Sequence, residues 1–261
     1  MTAIPRVLTI ASSDSGGGAG IQADLKAFAR CGAHGMSAIV ALTAQNTLGV
    51  SAIHELPPPF VRAQIDAVLD DMGADAVKTG MLFSVPLIEE VAQALAERRL
   101  PLVVDPVMVA SSGSRLLRED AVDTLVKRLF PAATVVTPNL MEAQALTGTD
   151  TQDRAELAER LVSLGAPAVV VTGGHGAEPV DHLFDGVRHL PIPVARHRVA
   201  ATHGAGCTHS AALAAGLAAG LTLADAARQA AEVASDAVAH GLPGLGGGDG
   251  PVHVLHREAM R

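Results

Sequence analysis

Short apolar runs alternate with segments of helical period along most of the chain. Six of these runs are rich in β-branched residues and apolar at consecutive positions, namely residues 6–11, 37–44, 74–81, 101–108, 134–139 and 168–174. Strands that are apolar on both faces are typical of a parallel sheet covered by helices on both sides. The pattern therefore predicts an α/β fold.

The segments between the runs predict helices and edge strands. Residues 20–32 (GIQADLKAFARCG) and 123–130 (DTLVKRLF) repeat apolar residues three or four positions apart. Gly32 is suited to the left-handed conformation that ends many helices. Residues 180–199 follow neither period cleanly and predict one or two antiparallel edge strands. The glycine-rich segment 244–253 predicts a solvated loop.

Composition narrows the class of protein. The chain has 261 residues, of which 49% are hydrophobic, and no linker divides it, so we expect one domain over residues 1–261 with a large core. Few and scattered basic residues, with 2% aromatic residues, exclude a typical nucleic-acid-binding surface. Cys31 and Cys207 give neither a disulfide framework nor metal-ligand spacing. The start of the sequence lacks the features of an export signal, and no apolar run is long enough to span a membrane, so we expect a cytoplasmic protein.

The first apolar run leads into a glycine-rich turn, SDSGGGAG (residues 13–20). Ligands of open α/β sheets bind at the carboxyl ends of strands, so the turn lies where a site is expected. Gly18–Ala23 fits the dinucleotide pattern G-x-G-x-x-A, but the following strand ends in Gln45 and not in the acidic residue that binds the ribose, so we set a dehydrogenase aside. Two interpretations remain: a turn that needs glycine only for its backbone angles, or bare backbone against a flat ligand, with Asp14 and Asp24 as acceptors.

A second glycine turn begins a helix of small residues, THGAGCTHSAALAAGLAAG (residues 202–220). Amide groups at a helix N-terminus carry partial positive charge and suit an anion, above all phosphoryl oxygens whose charge grows during transfer. The chain has no G-x-x-x-x-G-K-[ST] motif, so phosphoryl transfer here would not use a P-loop. A turn that requires glycine, followed by close helix packing on alanine, explains the same residues equally well.

Eight motifs in this order and spacing resemble one enzyme family. They are SDSGGGAGIQADLK, TAQNT, KTGM, DPVM, TPNLMEAQAL, GGH, THGAGCTHSAA and GPVH. From about Leu8 to His253 the chain resembles the hydroxymethylpyrimidine and phosphomethylpyrimidine kinases of thiamine biosynthesis, which are ribokinase-like enzymes. The resemblance implies a three-layer α/β/α fold with a mostly parallel sheet, usually dimeric. It also implies a kinase that uses ATP and Mg²⁺ to phosphorylate the pyrimidine's hydroxymethyl group and then the resulting monophosphate.

The resemblance assigns the pyrimidine pocket to residues near the first turn. A flat heteroaromatic ring needs bare backbone or apolar groups on its faces and a few polar groups at its rim. The residues implied are Gly18, Ala19, Asp24, Gln45, Met81 and Val107. Other interpretations stay open for three of them: Gln45 as an exposed strand end, Asp24 as a solvent-facing acid favoured by the helix dipole, and Met81 as core.

The phosphoryl end is assigned to the second turn. By resemblance, Gly204, Ala205 and Gly206 form an anion hole, and Cys207 acts on the substrate hydroxyl, where most ribokinase relatives have aspartate. A helix N-terminus favours a thiolate, which would make Cys207 a base; a small buried cysteine is the alternative. The nucleotide contacts implied are Asn139, Thr172, Gly174 and Thr202.

Two carboxylates are candidates for the magnesium site. Glu142 matches the family's N-x-x-E motif, although Asn139 and Glu142 also have the spacing of a helix capping box, which is the better interpretation from spacing alone. Asp105 follows a predicted strand and precedes Pro106, which also suits a turn residue. Two oxygen ligands from neighbouring strands would suit Mg²⁺, which keeps most of its waters.

The chain departs from the family at the phosphate end. Lysine is usual where this chain has Ser111 and Thr172, and lysine-asparagine where it has Ala200-Ala201. Fewer cations would hinder most the second phosphorylation, whose substrate is already anionic. Candidate replacements are Arg115, Arg196 and Arg198. A pyridoxal kinase of the same fold, or a non-catalytic binder of the pyrimidine or a related vitamin, therefore remain as alternatives.

Overall fold

The strands follow the predicted runs. The computed structural model describes residues 4–109, 113, 116–174 and 179–256. The strands are β1 (Arg6–Asp14), β2 (His34–Asn46), β3 (Gly49–Glu55), β4 (Ala76–Thr79), β5 (Leu102–Val104), β6 (Val135–Val136), β7 (Val169–Val171), β8 (Val180–Phe184) and β9 (His189–Pro193). Each of the six predicted apolar runs overlaps one strand, and residues 180–199 contain two.

All nine strands form one sheet, in the order β3-β2-β1-β4-β5-β6-β7-β8-β9. The six central strands run parallel, and β3, β8 and β9 pair antiparallel at the two edges. The sheet is thus mostly parallel, as predicted. The sequence did not predict β3, because this edge strand is largely uncovered and its residues GVSAIHE lack a strong apolar pattern.

Eight helices flank the sheet in the described residues. They are α1 (Gly20–Arg30), α2 (Pro58–Asp71), α3 (Val85–Ala96), α4 (Val122–Leu129), α5 (Leu140–Thr147), α6 (Arg154–Ser163), α7 (Ala205–Ala218) and α8 (Leu223–Ala239). The two predicted helices correspond to α1 and α4. Gly32 follows the end of α1 with φ 75°, in the left-handed conformation expected there.

The core lies in two layers, one on each face of the sheet. Helices α2 to α6 pack on one face, and α1, α7 and α8 pack on the other. Neighbouring residues of the central strands alternate between the layers; Val104 and Val136 face the first, and Val103 and Val135 face the second. The fold is therefore the predicted three-layer α/β/α arrangement.

The glycine-rich segment 244–253 is only partly a solvated loop. It begins exposed, but from Gly250 onward it is buried against the second glycine turn. The amide of His203 donates to the Gly250 carbonyl at 3.2 Å, and the Val252 amide donates to the His203 carbonyl at 3.0 Å. The prediction was wrong for this second half, because hydrogen bonds to a distant turn decide its conformation and composition alone does not reveal them.

Candidate active site

The two glycine turns contact each other at the carboxyl end of the sheet. A Cβ atom on Gly204 would collide with the Gly18 carbonyl, and one on Gly20 would collide with the Ser12 carbonyl. Gly204 and Gly20 also have left-handed backbones, with φ of 87° and 56°. Both glycines are therefore required by the turns themselves, whatever ligand lies beside them.

Asp14 holds the first turn and joins it to the second. Its carboxylate accepts from the amides of Gly16, Gly18 and Ala19 at 2.8 to 3.0 Å, and from Nε2 of His203 at 3.0 Å. Burial alone would raise the pKa of Asp14, but these hydrogen bonds outweigh it, so the pKa is lowered. The carboxylate that the sequence offered as a ligand acceptor is thus used to build the turn.

Gln45 lies beside the first turn. Its side chain is partly buried, with Nε2 3.5 Å from His203 Nε2 and Oε1 3.1 Å from Thr43 Oγ1. Its backbone amide and carbonyl both bond to the Ser15 hydroxyl. Gln45 is therefore fixed against the turn and is not simply an exposed strand end. Its contact with a pyrimidine stays a prediction.

Met81 and Val107 follow β4 and β5 at the same end of the sheet. Met81 is buried, and Val107 is partly exposed. Their position agrees with a pocket wall, although for Met81 the burial suits a core residue equally well.

Asp24 is fully buried in an ion pair. Both carboxylate oxygens lie near Lys78 Nζ, at 2.9 and 3.1 Å, and one accepts from the Thr9 hydroxyl at 2.6 Å. The solvent-facing interpretation is therefore wrong: α1 turns this residue toward the sheet. Direct contact with a ligand would require the ion pair to open, and stays a prediction.

Lys78 is a site residue that the sequence analysis did not assign. Burial lowers its pKa, but attraction to Asp24, Cys207 and Asp105 outweighs burial, so the pKa lies above its ordinary value. Burial likewise raises the pKa of Asp24, more than Lys78 and Thr9 lower it. The signal that could have identified it is a lysine within a strand, β4, whose four residues are all buried. Buried charges are almost always paired, so such a lysine indicates a buried partner.

Asp105 lies beneath the start of α7. Its carboxylate accepts from the Ser210 hydroxyl at 2.8 Å and lies 3.7 Å from Lys78 Nζ. Its carbonyl accepts from the Val107 amide at 2.9 Å, so the residue also forms the predicted turn before the proline. The carboxylate is thus placed between β4, β5 and α7.

Glu142 forms the capping box that its spacing predicts. Its carboxylate accepts from the Asn139 amide at 2.9 Å, and its own amide donates to the Asn139 side chain at 3.0 Å. Desolvation and then the charge of Asp105 raise the pKa of Glu142 to about 8, against the effect of amide hydrogen bonds from Asn139 and Met108. Glu142 can therefore cap α5 and also be a functional acid.

The donor set of Asp105 and Glu142 fits a divalent cation. Two buried carboxylates close enough to raise a pKa repel each other, and a cation between them would relieve that repulsion. Over the described ranges no group of three His, Cys, Asp or Glu side chains converges on one point. Two carboxylates suit Mg²⁺, which takes its remaining ligands from water and phosphate.

The N-terminus of α7 offers fewer amides than predicted. The Ala205 amide donates to the Thr202 carbonyl at 3.0 Å, so it is not available to an anion in this conformation. The amides of Gly206 and Cys207 lie in the first turn, where a helix provides no acceptor. Gly206 is exposed, with open space where a Cβ would stand. An anion bound at this turn would therefore meet the amides of Gly206 and Cys207.

Cys207 is not the thiolate that the helix N-terminus predicted. The residue is partly exposed, but desolvation of the sulfur raises the pKa of the Cys207 thiol to about 12, with Asp105 and Asp24 adding to the rise. Lys78 and the Gly20 amide lower it, but not enough. These surroundings oppose the predicted thiolate, because desolvation and two carboxylates raise the pKa more than Lys78 and the Gly20 amide lower it.

The predicted nucleotide residues fall in two places. Thr172 pairs with Asn139 in an isolated parallel bridge, its amide donates to the Pro138 carbonyl at 3.0 Å, and Gly174 nearby is exposed. Thr202 lies before α7, where its amide and hydroxyl both donate to Asp249 at 2.9 Å.

The positions of the missing lysines differ in what surrounds them. Ser111 and the candidate replacement Arg115 lie outside the described residues. Ala201 is buried, whereas Ala200, Arg196 and Arg198 are exposed between β9 and α7. One cation that the sequence analysis overlooked is Arg154, a buried residue at the start of α6 whose Nε lies 3.5 Å from the Thr172 carbonyl.

A groove of about 570 Å³ runs between β9 and α8. Its lining includes Ile192, Val194, His197, Glu232 and Ser235. It does not include the carboxylates Asp105 and Glu142, but His197 belongs to the loop that leads into the second glycine turn. The groove is therefore separate from the two carboxylates and is connected to the second glycine turn through the loop that contains His197.

Known proteins resemble the chain over almost its full length. A sequence profile of the phosphomethylpyrimidine kinase family matches residues 14–253. A hydroxymethylpyrimidine/phosphomethylpyrimidine kinase of Bacillus subtilis is 47% identical over 257 residues, covering 96% of this chain and 94% of the relative. A thiamine biosynthesis bifunctional protein of Geobacter sulfurreducens is 49% identical, and there the match covers 98% of this chain but only 53% of the relative.

A solved structure shows the same fold. The pyridoxal kinase of Bacillus subtilis, determined as an ADP complex, superposes with a TM-score of 0.88 at 39% identity and covers 96% of this chain and 98% of that one. Among the residues that the structure describes, no helix is both long and apolar enough to cross a membrane. With a family profile that spans most of the sequence and relatives near half identity, the chain belongs to the phosphomethylpyrimidine kinase family.

Proposed function

We propose that this protein transfers the terminal phosphoryl group of ATP to the hydroxymethyl group of an aminopyrimidine, and then to the resulting monophosphate. The observation that carries the proposal is the direct contact between the two glycine turns, Gly18 against Gly204. It brings a flat, backbone-lined surface next to Gln45 and against a helix N-terminus with open amides. The hydroxymethyl group of a flat ring and a phosphoryl group would therefore meet at this contact.

In this proposal each turn binds one reactant. Gln45 hydrogen-bonds the pyrimidine edge, while Gly18, Ala19, Met81 and Val107 enclose the ring. The amides of Gly206 and Cys207 then bind the phosphoryl oxygens as their charge grows.

Asp105 and Glu142 would hold Mg²⁺, which would offset charge on the phosphates. Asn139, Thr172 and Gly174 would lie along the nucleotide, and Thr202 would join them if it exchanged Asp249 for a phosphate oxygen. In this proposal, each part of ATP that takes part in transfer has residues of the chain assigned to it.

Cys207 has a narrower role than the sequence suggested. At neutral pH its thiol holds its own proton, so it can donate a hydrogen bond to the substrate oxygen but cannot yet accept a proton. Lys78 is the charged group that favours ionisation of this thiol, with a smaller contribution from the Gly20 amide. A base function for Cys207 therefore depends on Lys78 and on a smaller effect of Asp105.

The groove between β9 and α8 would receive the adenine. Its volume of about 570 Å³ and its mixed apolar and polar lining suit a heterocyclic base. Its end at His197 lies seven positions before Gly204 in the chain.

A coupled assay of ADP release tests the function. The purified protein is given ATP and Mg²⁺ with the hydroxymethylpyrimidine, with its monophosphate, or with pyridoxal. We expect turnover with the first two. Turnover with pyridoxal alone would replace the proposal by a pyridoxal kinase, which the 0.88 TM-score to a pyridoxal kinase favours as the second candidate. No turnover, with retained pyrimidine binding, would indicate a binder.

Three wider predictions remain proposals. One sheet from β3 to β9 supports a single domain over residues 1–261. Homodimer formation rests on the family resemblance, and sedimentation velocity would test it by the mass of the main species. Cytoplasmic location stays a prediction.

A further inference from the structure

A buried histidine and aspartate form a pair between α7 and β8, in the core layer that also holds the Lys78–Asp24 ion pair. His209 stands on α7 among Ala211, Ala212 and Leu213, which are fully buried. Asp181 lies on β8 and faces the same side of the sheet as the buried Leu183, two residues further along the strand. Burying a carboxylate and an imidazole is unfavourable unless both are bonded, so their presence there needs an explanation.

The carboxylate of Asp181 accepts two hydrogen bonds. His209 Nε2 lies 2.9 Å from one oxygen, and the Gly173 amide donates to the other at 2.6 Å. Because the carboxylate only accepts, we infer that Nε2 of His209 carries the proton. His209 is thereby linked to the backbone of the segment after β7 through one side chain.

That segment is tightly confined. A Cβ on Gly173 would collide with the backbone of Val180, so this glycine lies directly against β8. On its other side, Thr172 is bonded to Pro138 and bridged to Asn139, next to Glu142. The turn at residues 172–174 is therefore held between the capping box of α5 and the Asp181–His209 pair.

The other ring nitrogen of His209, Nδ1, takes no part in the link to Asp181. In the described part of the chain, Nδ1 is buried without a hydrogen-bond partner. A core selected only for stability would replace this pair by apolar side chains, since removing both members of a buried polar pair is often neutral or stabilising. The pair is better explained by what it positions.

We propose that His209 is a positioning residue for the nucleotide: through Asp181 it fixes the Gly173 amide, and with it the turn at Thr172–Gly174, relative to the N-terminus of α7. The same helix then sets both the anion hole, at Gly206, and the distance from it to the nucleotide turn. This inference rests on the proposed function, because it assumes that the turn contacts ATP.

The test uses two substitutions at one position. His209→Leu removes the donor to Asp181, whereas His209→Gln places an amide N–H near the position of Nε2. We expect the Leu variant to raise KM for ATP roughly tenfold, the scale of one hydrogen bond to a charged group, with KM for the pyrimidine unchanged. The Gln variant should recover most of that loss.

A control on the same helix separates positioning from stability. Leu213→Ala removes buried apolar contacts of α7 without touching the pair, so it should lower the melting temperature and leave KM for ATP unchanged. If His209→Leu does not fold, Asp181→Asn replaces it: that variant keeps an oxygen for Gly173 but loses the charge that binds His209.

A second measurement needs no activity. Amide hydrogen exchange at Gly173, followed by NMR, should be faster in His209→Leu than in wild type and in Leu213→Ala. If wild type shows no kinase activity, the proposed function fails while the exchange data still test the link. Unchanged exchange at Gly173, or equal changes in both KM values, would overturn the inference.

Discussion

In the proposed site, the side chain of Gln45 recognises the edge of the pyrimidine. It is fixed by Thr43 and by backbone bonds to Ser15, so little entropy is lost when it binds a ring. Gln45→Leu would leave polar groups of the ring unpaired and should weaken pyrimidine binding by about 1–3 kcal/mol while sparing ATP. Titration calorimetry with each ligand alone measures both effects. Equal pyrimidine affinity in the two proteins would remove Gln45 from the site.

The Cys207 thiol should be slow to react. With a pKa of about 12 almost none of it is thiolate at neutral pH, so iodoacetamide should modify it far more slowly than it modifies a free thiol. The rate should rise as the pH approaches that value. Mass spectrometry on a Cys31→Ala background, which leaves one thiol, follows the reaction. Fast modification at pH 7 would restore the thiolate predicted from the helix dipole.

Turnover provides the companion measurement for Cys207. Cys207→Ala keeps the backbone amides of the turn, so ATP and pyrimidine should still bind. If the side chain takes part in proton transfer, kcat should fall by about 10²–10⁴. A variant with nearly wild-type kcat would leave catalysis to phosphate positioning and the metal.

At the scale of elements, alanine substitutions of Gly204 and Gly206, at the start of α7, form a matched pair that tests the contact between the two glycine turns. Gly204→Ala would place a methyl group against the Gly18 carbonyl at a left-handed φ of 87°, so it should destabilise the fold strongly. Gly206→Ala meets open space at the start of the helix and should be neutral or stabilising by up to about 1 kcal/mol. Urea unfolding compares them. Equal stability of the two variants would contradict the observed contact.

The burial of Glu142 near Asp105 should make stability depend on pH. Glu142 has its pKa raised from 4.5 to about 8, so the folded protein keeps a proton that the unfolded chain releases between those values. This contribution is fully present below pH 4.5 and is lost as the pH rises to about 8. Glu142→Gln keeps the cap, since glutamine also serves in a capping box, but cannot titrate.

The change of the free energy of unfolding with pH distinguishes wild type from Glu142→Gln. Without metal, the free energy of unfolding should fall more steeply in wild type than in Glu142→Gln over this range, as measured by urea unfolding at a series of pH values. Added Mg²⁺ should stabilise wild type more than the variant at pH 8. Parallel curves would mean that Glu142 does not carry the raised pKa.

The sequence predicted the strands and helices in which apolar residues follow one regular spacing. Six runs gave six parallel strands, because residues buried on both faces leave a continuous apolar signal. Edge strand β3 was missed, since it carries no such signal. The positions of Asp105 and Glu142 followed from strand ends and from spacing. Lys78, His209 and the protonation of Cys207 did not, because burial and charge pairing arise only when distant segments meet.

At the scale of the whole molecule, charge should make the second of the two proposed phosphorylations the less efficient one. The chain carries a formal charge of −8 and has threonine at position 172, where the family resemblance implies lysine, so a substrate that is already a phosphate would meet fewer cations. Thr172→Lys should increase kcat/KM for the monophosphate more than for the alcohol. Steady-state kinetics with both substrates measures the ratio. An equal change in the two steps would show that position 172 does not contact the substrate phosphate.

The segment that returns at Gly250 to Val252 has a consequence for synthesis. It bonds both sides of His203, although it is translated roughly 50 residues later, at a ribosomal rate of about 5–20 residues per second. While the nascent chain is still being made, the sheet can assemble, but the second glycine turn lacks the strand-like partner that holds it. The second glycine turn therefore acquires the partner that holds it only some seconds after its own residues have been translated.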